Sequence, residues 1–310
     1  MERYLVTGGS GFLGRHLVAG LHEAGVEVTA LGRGEQEFSG WIRADLTRPE
    51  TLQLGRRPYH AVVHAAGLAH IAPRSREDSQ RFFAVNARGT QHLLAALDRL
   101  PQAPEGFVLI STVAVYGRTA GELLNESTPA EAKDPYGASK IETERLVREW
   151  ADARGVCCAV LRLPLVFGED PPGNLGALSS AIRRRRYAGI RPGTARRSIV
   201  WARNVAGIIP RAAKTSGIYH LTDGEHPTLR QLELAYAAKY GVSAPPSLPR
   251  AAARLVAWAG DPLTALLGDR VPLNSRRFEK MTCTLTFSDD LARARLGWNP
   301  DRVLPLIPAL

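Results

Sequence analysis

Three side chains, Thr112, Tyr136 and Lys140, have the types and the spacing needed for proton transfer at a substrate oxygen. Tyr136 and Lys140 are four residues apart, so on a helix they lie one above the other on the same face. A tyrosine with an ordinary pKa of about 10 is a poor acid–base catalyst at neutral pH. An ammonium group one turn away, together with a further positive charge beside the ring, would favour the phenolate, and the Thr112 hydroxyl could hydrogen-bond the same substrate oxygen.

A second set of residues has the spacing of an anion-binding turn. Glycines at 8, 11 and 14 follow the apolar run Tyr4-Leu5-Val6 and precede an apolar-periodic segment that begins at Phe12. A strand, a glycine turn and a helix N-terminus aim free N–H groups and the positive end of the helix dipole at one point, which suits a pyrophosphate. The spacing G-x-x-G-x-x-G differs from the better-known G-x-G-x-x-G, and a plain strand-to-helix turn is the alternative.

The elements that must position these groups alternate along the chain. Short apolar runs predict strands at 4–6, 26–31, 41–44, 60–67, 107–110 and 156–161, and helical patterns cover about 77–100 and 135–154. Strands that alternate with helices at this interval predict an α/β fold with a doubly wound parallel sheet of the Rossmann type. We expect a dinucleotide-binding domain over 1–168 and a smaller C-terminal α/β substrate domain over 169–310, with about 198–214 returning to the sheet.

Composition limits the classes of function. The 310 residues are 45% hydrophobic and 23% charged, as in an ordinary globular protein, and the net charge is +10. The charge fits anionic ligands, and the arginines at 183–186 would suit nucleic acid or a membrane surface, although a solvated helix face is the preferred interpretation. No base-stacking aromatic motif, signal peptide or long apolar run is present, so we expect no nucleic-acid partner and no membrane insertion.

The cysteines and the end of the second strand add two expectations. Cys157, Cys158 and Cys283 lack metal-ligand spacing, which predicts buried free thiols, no metal and a cytoplasmic location. Arg33 follows the second predicted strand, where an arginine can accept the 2′-phosphate of NADP. An exposed loop arginine is the alternative there.

Eight motifs, spread in order over nearly the whole chain, identify a family. The sequence resembles the extended short-chain dehydrogenase/reductases that act on nucleotide-diphosphate sugars. The matching segments are Thr7-Gly-Gly-Ser-Gly-Phe-Leu-Gly14, Asp45-Leu46, His64-Ala-Ala-Gly67, Val85-Asn-Ala-Arg-Gly-Thr90, Ser111-Thr-Val-Ala-Val-Tyr-Gly117, Pro135-Tyr-Gly-Ala-Ser-Lys140, Leu161-Arg-Leu-Pro164 and Leu296-Gly-Trp298.

The resemblance implies roles for individual residues. Thr112, Tyr136 and Lys140 form the catalytic set, with Tyr136 as the acid–base. By position in the C-terminal part, Asn174 and Arg197 are candidates for the substrate diphosphate, together with Thr112 at the sugar, although the first two could equally be ordinary loop residues. The implied cofactor-binding residues are Gly8, Gly11, Phe12, Leu13, Gly14, Arg33, Asp45, Leu46, Ala65, Ala66, Gly67, Asn86, Tyr136, Lys140 and Pro164.

Departures from the family patterns narrow the reaction. The sugar 4,6-dehydratases carry an Asp-Glu pair after the catalytic threonine, whereas this chain has Val113-Ala114, so elimination of water is not expected. Galactose-type epimerases usually have an acidic residue after the second strand and an asparagine near 165, and here Arg33 and Leu165 stand in those regions. The chain looks more like the UDP-N-acetylquinovosamine 4-reductase group.

We therefore expect an NAD(P)-dependent enzyme that reduces a 4-keto nucleotide-diphosphate hexose at C4. The cofactor is expected to be NADP, with NAD possible, and the substrate nucleotide UDP. A 4-epimerase with tightly bound NAD is the alternative, followed by a non-catalytic cofactor-sensing protein. We also expect a homodimer built on the helices near 77–100 and 135–154.

Overall fold

The computed structural model describes residues 1–36, 38–71, 73, 75–267, 271 and 273–309. Its centre is a seven-stranded, fully parallel sheet, which confirms the predicted doubly wound α/β fold. From one edge to the other the strands run β3 (Trp41–Arg43), β2 (Glu27–Gly32), β1 (Arg3–Thr7), β4 (Ala61–His64), β5 (Gly106–Thr112), β7 (Cys157–Leu163) and β11 (Gly217–His220).

Helices cover both faces of this sheet because its central strands are buried on both sides. On one face α1 (Phe12–Glu23) packs against α6 (Ala202–Ala212). On the other face, α2 (Arg76–Phe82), a π-helical segment at 83–88 and α3 (Gly89–Leu97) run on from one another and pack against α4 (Pro135–Asp152). The single helix predicted over 77–100 is therefore interrupted by a π segment that contains Asn86.

Shorter elements build the remaining part of the chain. Three two-stranded parallel sheets pair β8 (Leu165–Phe167) with β10 (Ile199–Trp201), β9 (Gly189–Ile190) with β12 (Ser247–Leu248), and β6 (Gly121–Leu124) with β13 (Leu285–Phe287). The helices are α5 (Gly173–Arg183), α7 (Leu229–Lys239), α8 (Arg250–Leu267), α9 (Ser275–Thr282), α10 (Asp290–Leu296) and α11 (Val303–Leu306).

The structure adds two strands that the apolar runs did not predict. β6 lies within 117–134, and β11 begins the region after 217. β11 is only four residues long and carries no alternating pattern, so its pairing with β7 decides its conformation. The division into domains at 168 and 169 stays a prediction.

Two further observations bear on the whole chain. All three cysteines are free, as expected, but Cys157 and Cys283 are only half-buried, and of the three only Cys158 is buried. Among the described helices, none has both the length and the apolar character to cross a bilayer.

Candidate active site

The glycine turn joins β1 to α1 through close backbone contacts. Gly8 has φ +72°, and the Gly11 amide donates to the Gly8 carbonyl at 2.9 Å. A Cβ on Gly8 would lie 2.8 Å from the Ala66 nitrogen, and a Cβ on Gly14 would lie 2.0 Å from the Gly8 oxygen. The turn therefore tolerates no side chain at these two positions.

The beginning of α1 fits an anionic group. Gly11 precedes the helix and offers no side-chain cap, and no acidic residue lies in the first turn. Within the described chain, the amides of Phe12, Leu13 and Gly14 meet no acceptor. Unpaired amides at the positive end of a helix suit the pyrophosphate of a nicotinamide dinucleotide, so these residues fit that cofactor.

Arg33 and Asp45 lie at neighbouring strand ends, after β2 and β3. Arg33 is exposed, and Asp45 is half-buried. Burial opposes ionisation of Asp45, but two hydrogen bonds from Thr47 and the charges of Arg33 and Arg48 lower the pKa of its carboxyl. The Leu46 carbonyl accepts a hydrogen bond from His92 Nδ1 at 2.7 Å, which ties this loop to α3.

A chain of buried neutral groups supports the loop after β4. The Ala66 amide donates to Thr7 Oγ1 at 3.1 Å, Thr7 Oγ1 lies 2.6 Å from His64 Nδ1, and His64 Nε2 lies 2.8 Å from Thr90 Oγ1. Thr90 Oγ1 then donates to the Asn86 carbonyl at 2.5 Å. Since Thr90 uses its proton on that carbonyl, His64 Nε2 must donate and Nδ1 must accept. Burial lowers the pKa of His64 to about 3, so the ring is neutral.

Asn86 holds the same loop through its amide side chain. Its Oδ1 accepts from the Leu68 amide at 2.6 Å, and its Nδ2 donates to the Leu68 carbonyl at 3.1 Å and to Ser139 Oγ at 2.9 Å. Ser139 lies one residue before Lys140, so Asn86 connects the π segment with α4. The structure thus places Asn86 as a brace between the 65–68 loop and the helix that carries the tyrosine.

The three predicted catalytic side chains come together where β5 ends and α4 begins. Thr112 is the last residue of β5, and its side chain lies beside Tyr136 and lowers the pKa of the phenol. The Tyr136 ring lies 6.0 Å from the Phe82 ring, and Lys140 Nζ donates to the Ile110 carbonyl at 2.8 Å. Asp134 caps the helix by accepting from the Gly137 amide at 3.0 Å, and Pro135 occupies the first helical position.

Burial governs the ionisation of Tyr136 and Lys140 in this structure. It raises the pKa of Tyr136 and outweighs the opposing effect of Thr112, so the phenol keeps its proton. Burial also lowers the pKa of Lys140 to about 8, although Glu144 opposes this. The phenolate expected with a further positive charge beside the ring stays a prediction.

A second buried chain of hydrogen bonds, which reaches α4 at Glu144, contains an ion pair. Arg162 donates to Glu144 at 2.7 Å, and both side chains are 6% exposed. Ser111 Oγ donates to the same carboxylate, and Arg162 Nη1 donates to the Tyr116 hydroxyl at 2.8 Å. Tyr116 in turn lies 2.5 Å from His220 Nε2.

The tautomer of His220 follows from its other contact. His220 Nδ1 lies 3.0 Å from the Ser288 carbonyl, which can only accept, so Nδ1 donates and Nε2 accepts from Tyr116. Burial lowers the pKa of His220 to about 4. The chain Ser111–Glu144–Arg162–Tyr116–His220 therefore links β5, α4, β7 and β11.

The two residues predicted to bind the substrate diphosphate, Asn174 and Arg197, lie in the C-terminal part of the chain. Asn174 is exposed, next to Gly173, whose Cβ position lies 2.4 Å from His70 Nδ1. The Arg197 guanidinium donates to the carbonyls of Arg196, Lys280 and Cys283, so it caps the end of α9. Pro164 is half-buried between β7 and β8.

Sequence reasoning missed the residues that support this site from beneath. Ser139, Glu144, Arg162 and His220 were not singled out, although Glu144 lies four residues after Lys140 and thus on the same helical face. That spacing was the available signal for Glu144. Arg162 and His220 come from strands distant in sequence, and no local pattern indicates that they meet.

Comparison with known proteins gives one family. A model of the NAD dependent epimerase/dehydratase family matches residues 4–220. The chain is 30% identical to a 4-hydroxy-2-methyl-3-oxo-4-farnesyl-3,4-dihydroquinoline-1-oxide ketoreductase of Stigmatella aurantiaca, over 96% of this chain and 91% of that protein. It is 33% identical to a UDP-glucose 4-epimerase of Azospirillum brasilense, but that match covers 56% of this chain and 52% of that protein.

A solved structure agrees with the fold. The Thermus thermophilus UDP-glucose 4-epimerase in complex with NAD superposes with a TM-score of 0.75 and 26% identity, covering 99% of this chain and 96% of that one.

Proposed function

The chain belongs to the NAD-dependent epimerase/dehydratase family, and from this premise we propose that it is an NAD(P)-dependent reductase of a 4-keto nucleotide-diphosphate hexose. The observation that carries the proposal is the half-buried Tyr136 phenol, beside Thr112 at the end of β5, with its pKa raised. A phenol that keeps its proton can give it to the oxygen of a ketone as the carbonyl is reduced.

Each group of the site has a defined task in this reaction. The Phe12, Leu13 and Gly14 amides bind the cofactor pyrophosphate, and the nicotinamide supplies the hydride for C4. Thr112 orients the substrate carbonyl, and Tyr136 donates the proton to its oxygen. Lys140, with its pKa of about 8, carries positive charge at neutral pH for most of the time and stabilises the phenolate left behind. Val113 and Ala114 offer no acid or base for elimination.

Arg33 supports a reductase that takes NADPH from solution. It is exposed at the end of β2, where a guanidinium can pair with a 2′-phosphate. The ketoreductase to which the chain is similar over 96% of its length agrees with this direction. A 4-epimerase with retained NAD is the second candidate, favoured by the matched UDP-glucose 4-epimerase of Azospirillum brasilense. A non-catalytic cofactor sensor would have no use for the arrangement of Thr112, Tyr136 and Lys140.

Dissociation constants for NADPH and NADH, measured before and after Arg33→Ala, test the cofactor and direction together. A charge-assisted phosphate contact contributes roughly 1.5–3 kcal/mol. We therefore expect the parent to favour NADPH by about one to two powers of ten, and Arg33→Ala to remove that preference. Arg57→Ala is the matched control, because Arg57 is also exposed but pairs with Glu27 at the opposite end of β2 from Arg33.

Equal affinities of the parent protein for NADPH and NADH, or an NAD that stays bound through purification, would contradict the reductase and favour the 4-epimerase. Mass spectrometry of ligands that co-purify with the protein would identify the nucleotide, which we propose is UDP. Asn174 and Arg197 remain our candidates for the diphosphate. To bind the diphosphate, the Arg197 guanidinium has to release the Lys280 and Cys283 carbonyls at the end of α9.

We also propose a cytoplasmic homodimer formed through α2, α3 and α4. Phe83, in the π segment between α2 and α3, is a large apolar side chain exposed to solvent, which supports a contact on this surface. Sedimentation should give twice the chain mass of 33.7 kDa at micromolar protein.

A further inference from the structure

The outward side of α8 is apolar. Trp258 is 75% exposed and Leu255 68% exposed, and Val256 and Leu263 add further exposed apolar surface. Isolated apolar residues on a surface are ordinary, but four large ones on one helix form a patch of the kind that marks an interaction site.

The inward side of the same helix is also apolar. Ala253, Ala257 and Gly260 are buried, and the Gly260 Cβ position lies 2.1 Å from the Leu273 carbonyl. At 100° per residue these three lie on one side of the helix, whereas Leu255, Ala259 and Pro262 lie on the opposite side. A helix that packs on the protein with one face normally turns a polar face to water, so α8 departs from this rule.

Basic side chains border the apolar patch. Arg250 and Arg254 lie in the first turns of α8, and Arg276 lies in α9, which packs against α8; all three are exposed. In the described part of the chain no acidic group pairs with them. Asp261, the acid of α8, is bound by the Ser275 hydroxyl and amide.

From these observations we propose that the outer face of α8 docks onto the surface of an anionic lipid bilayer. A helix with an apolar face that contains tryptophan and leucine, bordered by arginines, lies in the plane of the headgroup region. Tryptophan prefers that depth, and arginines gain from the negative potential of anionic lipids. The helix does not cross the bilayer, so the chain is bound peripherally.

This surface adjoins the substrate side of the candidate site. α9 packs on α8, and the carbonyls of Lys280 and Cys283 at its end accept the Arg197 guanidinium. Docking through α8 therefore holds Arg197 and its neighbourhood close to the bilayer. The proposal does not depend on the direction of the redox reaction.

Vesicle co-sedimentation tests the docking. The parent should bind phosphatidylcholine–phosphatidylglycerol vesicles, bind pure phosphatidylcholine vesicles weakly, and shift its tryptophan emission to the blue on binding. Leu255→Ser/Trp258→Ser should lower the partition coefficient about tenfold or more, because apolar area is lost. Leu234→Ser, at an exposed leucine of α7, is the matched control and should bind like the parent.

Charge-reversal variants distinguish attraction of the vesicles by the α8 arginines from attraction by the net charge of the whole protein. Arg250→Glu/Arg254→Glu should weaken binding to the anionic vesicles by about tenfold or more. Arg184→Glu/Arg186→Glu makes the same change in net charge at the exposed 183–186 arginines, and should leave most of the binding. Equal loss in both charge variants would overturn the assignment to α8.

Two other outcomes also overturn the proposal. One is no sedimentation of the parent with anionic vesicles at low salt. The other is a fall in sedimentation mass without vesicles when Leu255 and Trp258 are replaced, which would identify a second copy of the chain as the occupant of this face.

Discussion

Two buried polar chains flank the candidate site, and they differ in charge. The neutral chain runs from the Ala66 amide through Thr7, His64 and Thr90 to the Asn86 carbonyl. The charged chain runs from Ser111 through Glu144, Arg162 and Tyr116 to His220. Both consist of groups that are satisfied by one another, as buried polar groups must be.

The difference reflects what each chain connects. The neutral chain fixes backbone groups next to the glycine turn, where an uncompensated charge would disturb a bound pyrophosphate. The charged chain of hydrogen bonds joins strands and a helix from four parts of the sequence. Loss of either partner of its ion pair would leave the other charge buried without compensation. We therefore expect substitutions in the charged chain of hydrogen bonds to have the larger effect on the free energy of unfolding. The neutral chain of hydrogen bonds should make that free energy depend on pH.

Removing one member of the ion pair should have the largest effect. Glu144→Leu leaves the Arg162 guanidinium buried without its carboxylate, so we expect the free energy of unfolding to fall by about 3–5 kcal/mol. Urea denaturation measures this. Glu142→Leu removes an acid of the exposed pair with Arg145 on the same helix and should cost less than about 1 kcal/mol.

The double variant Glu144→Leu/Arg162→Met sharpens this test. Apolar residues of similar volume can replace a buried ion pair without loss, so we expect it to recover at least half of the stability lost in the single variant. Additive losses would mean that the pair is not the source of the effect.

The same substitution at Tyr136 and at Tyr116 should distinguish a loss of catalysis from a loss of stability. Tyr136→Phe should leave folding and cofactor binding intact and lower kcat by a factor of about 10² or more, because the proton donor is lost. Tyr116→Phe removes the hydroxyl between Arg162 and His220 and should lower the free energy of unfolding by about 1–3 kcal/mol. Near-normal turnover in Tyr136→Phe would remove Tyr136 from the mechanism.

The neutral chain predicts a smaller, pH-dependent effect. Burial lowers the pKa of His64 to about 3 from 6.5, so between these values the unfolded chain binds the extra proton. The stability that this histidine contributes is full above pH 6.5 and is lost as pH falls through the window. His64→Gln should reduce the slope of unfolding free energy against pH by up to about 1.4 kcal/mol per pH unit between pH 4.5 and 6.

Urea titrations of the parent and His64→Gln at several pH values measure this slope. His22→Gln, at the exposed end of α1, controls for the loss of an imidazole. An unchanged slope in His64→Gln would show that His64 is not held neutral by burial.

The sequence allowed prediction of features that depend on neighbouring residues, but not of contacts between residues that are distant in the chain. The strands, the glycine turn and the Tyr136–Lys140 spacing were predictable because each depends on residues adjacent in the chain. β11 was missed because pairing with β7 defines it, and the Arg162–His220 connection was missed because the two residues lie on different strands. The burial that raises the pKa of Tyr136 cannot be read from spacing.

The apolar outer face of α8 shows the same limit. The apolar composition of 254–267 does not by itself tell which side of a helix faces the protein. The structure assigns Ala253, Ala257 and Gly260 to the inner side, which leaves Leu255 and Trp258 outside.

Transfer of a deuterium label tests the reductase proposal most directly. The protein is incubated with NADPH deuterated at the transferred position of the nicotinamide and with a 4-keto nucleotide-diphosphate hexose, and the product is analysed by mass spectrometry and NMR. Our account predicts one deuterium at C4 of the product for each NADPH oxidised, and no transfer in Tyr136→Phe on the same time scale. Interconversion of C4 epimers without net oxidation of added NADPH, and with no label at C4, would contradict it.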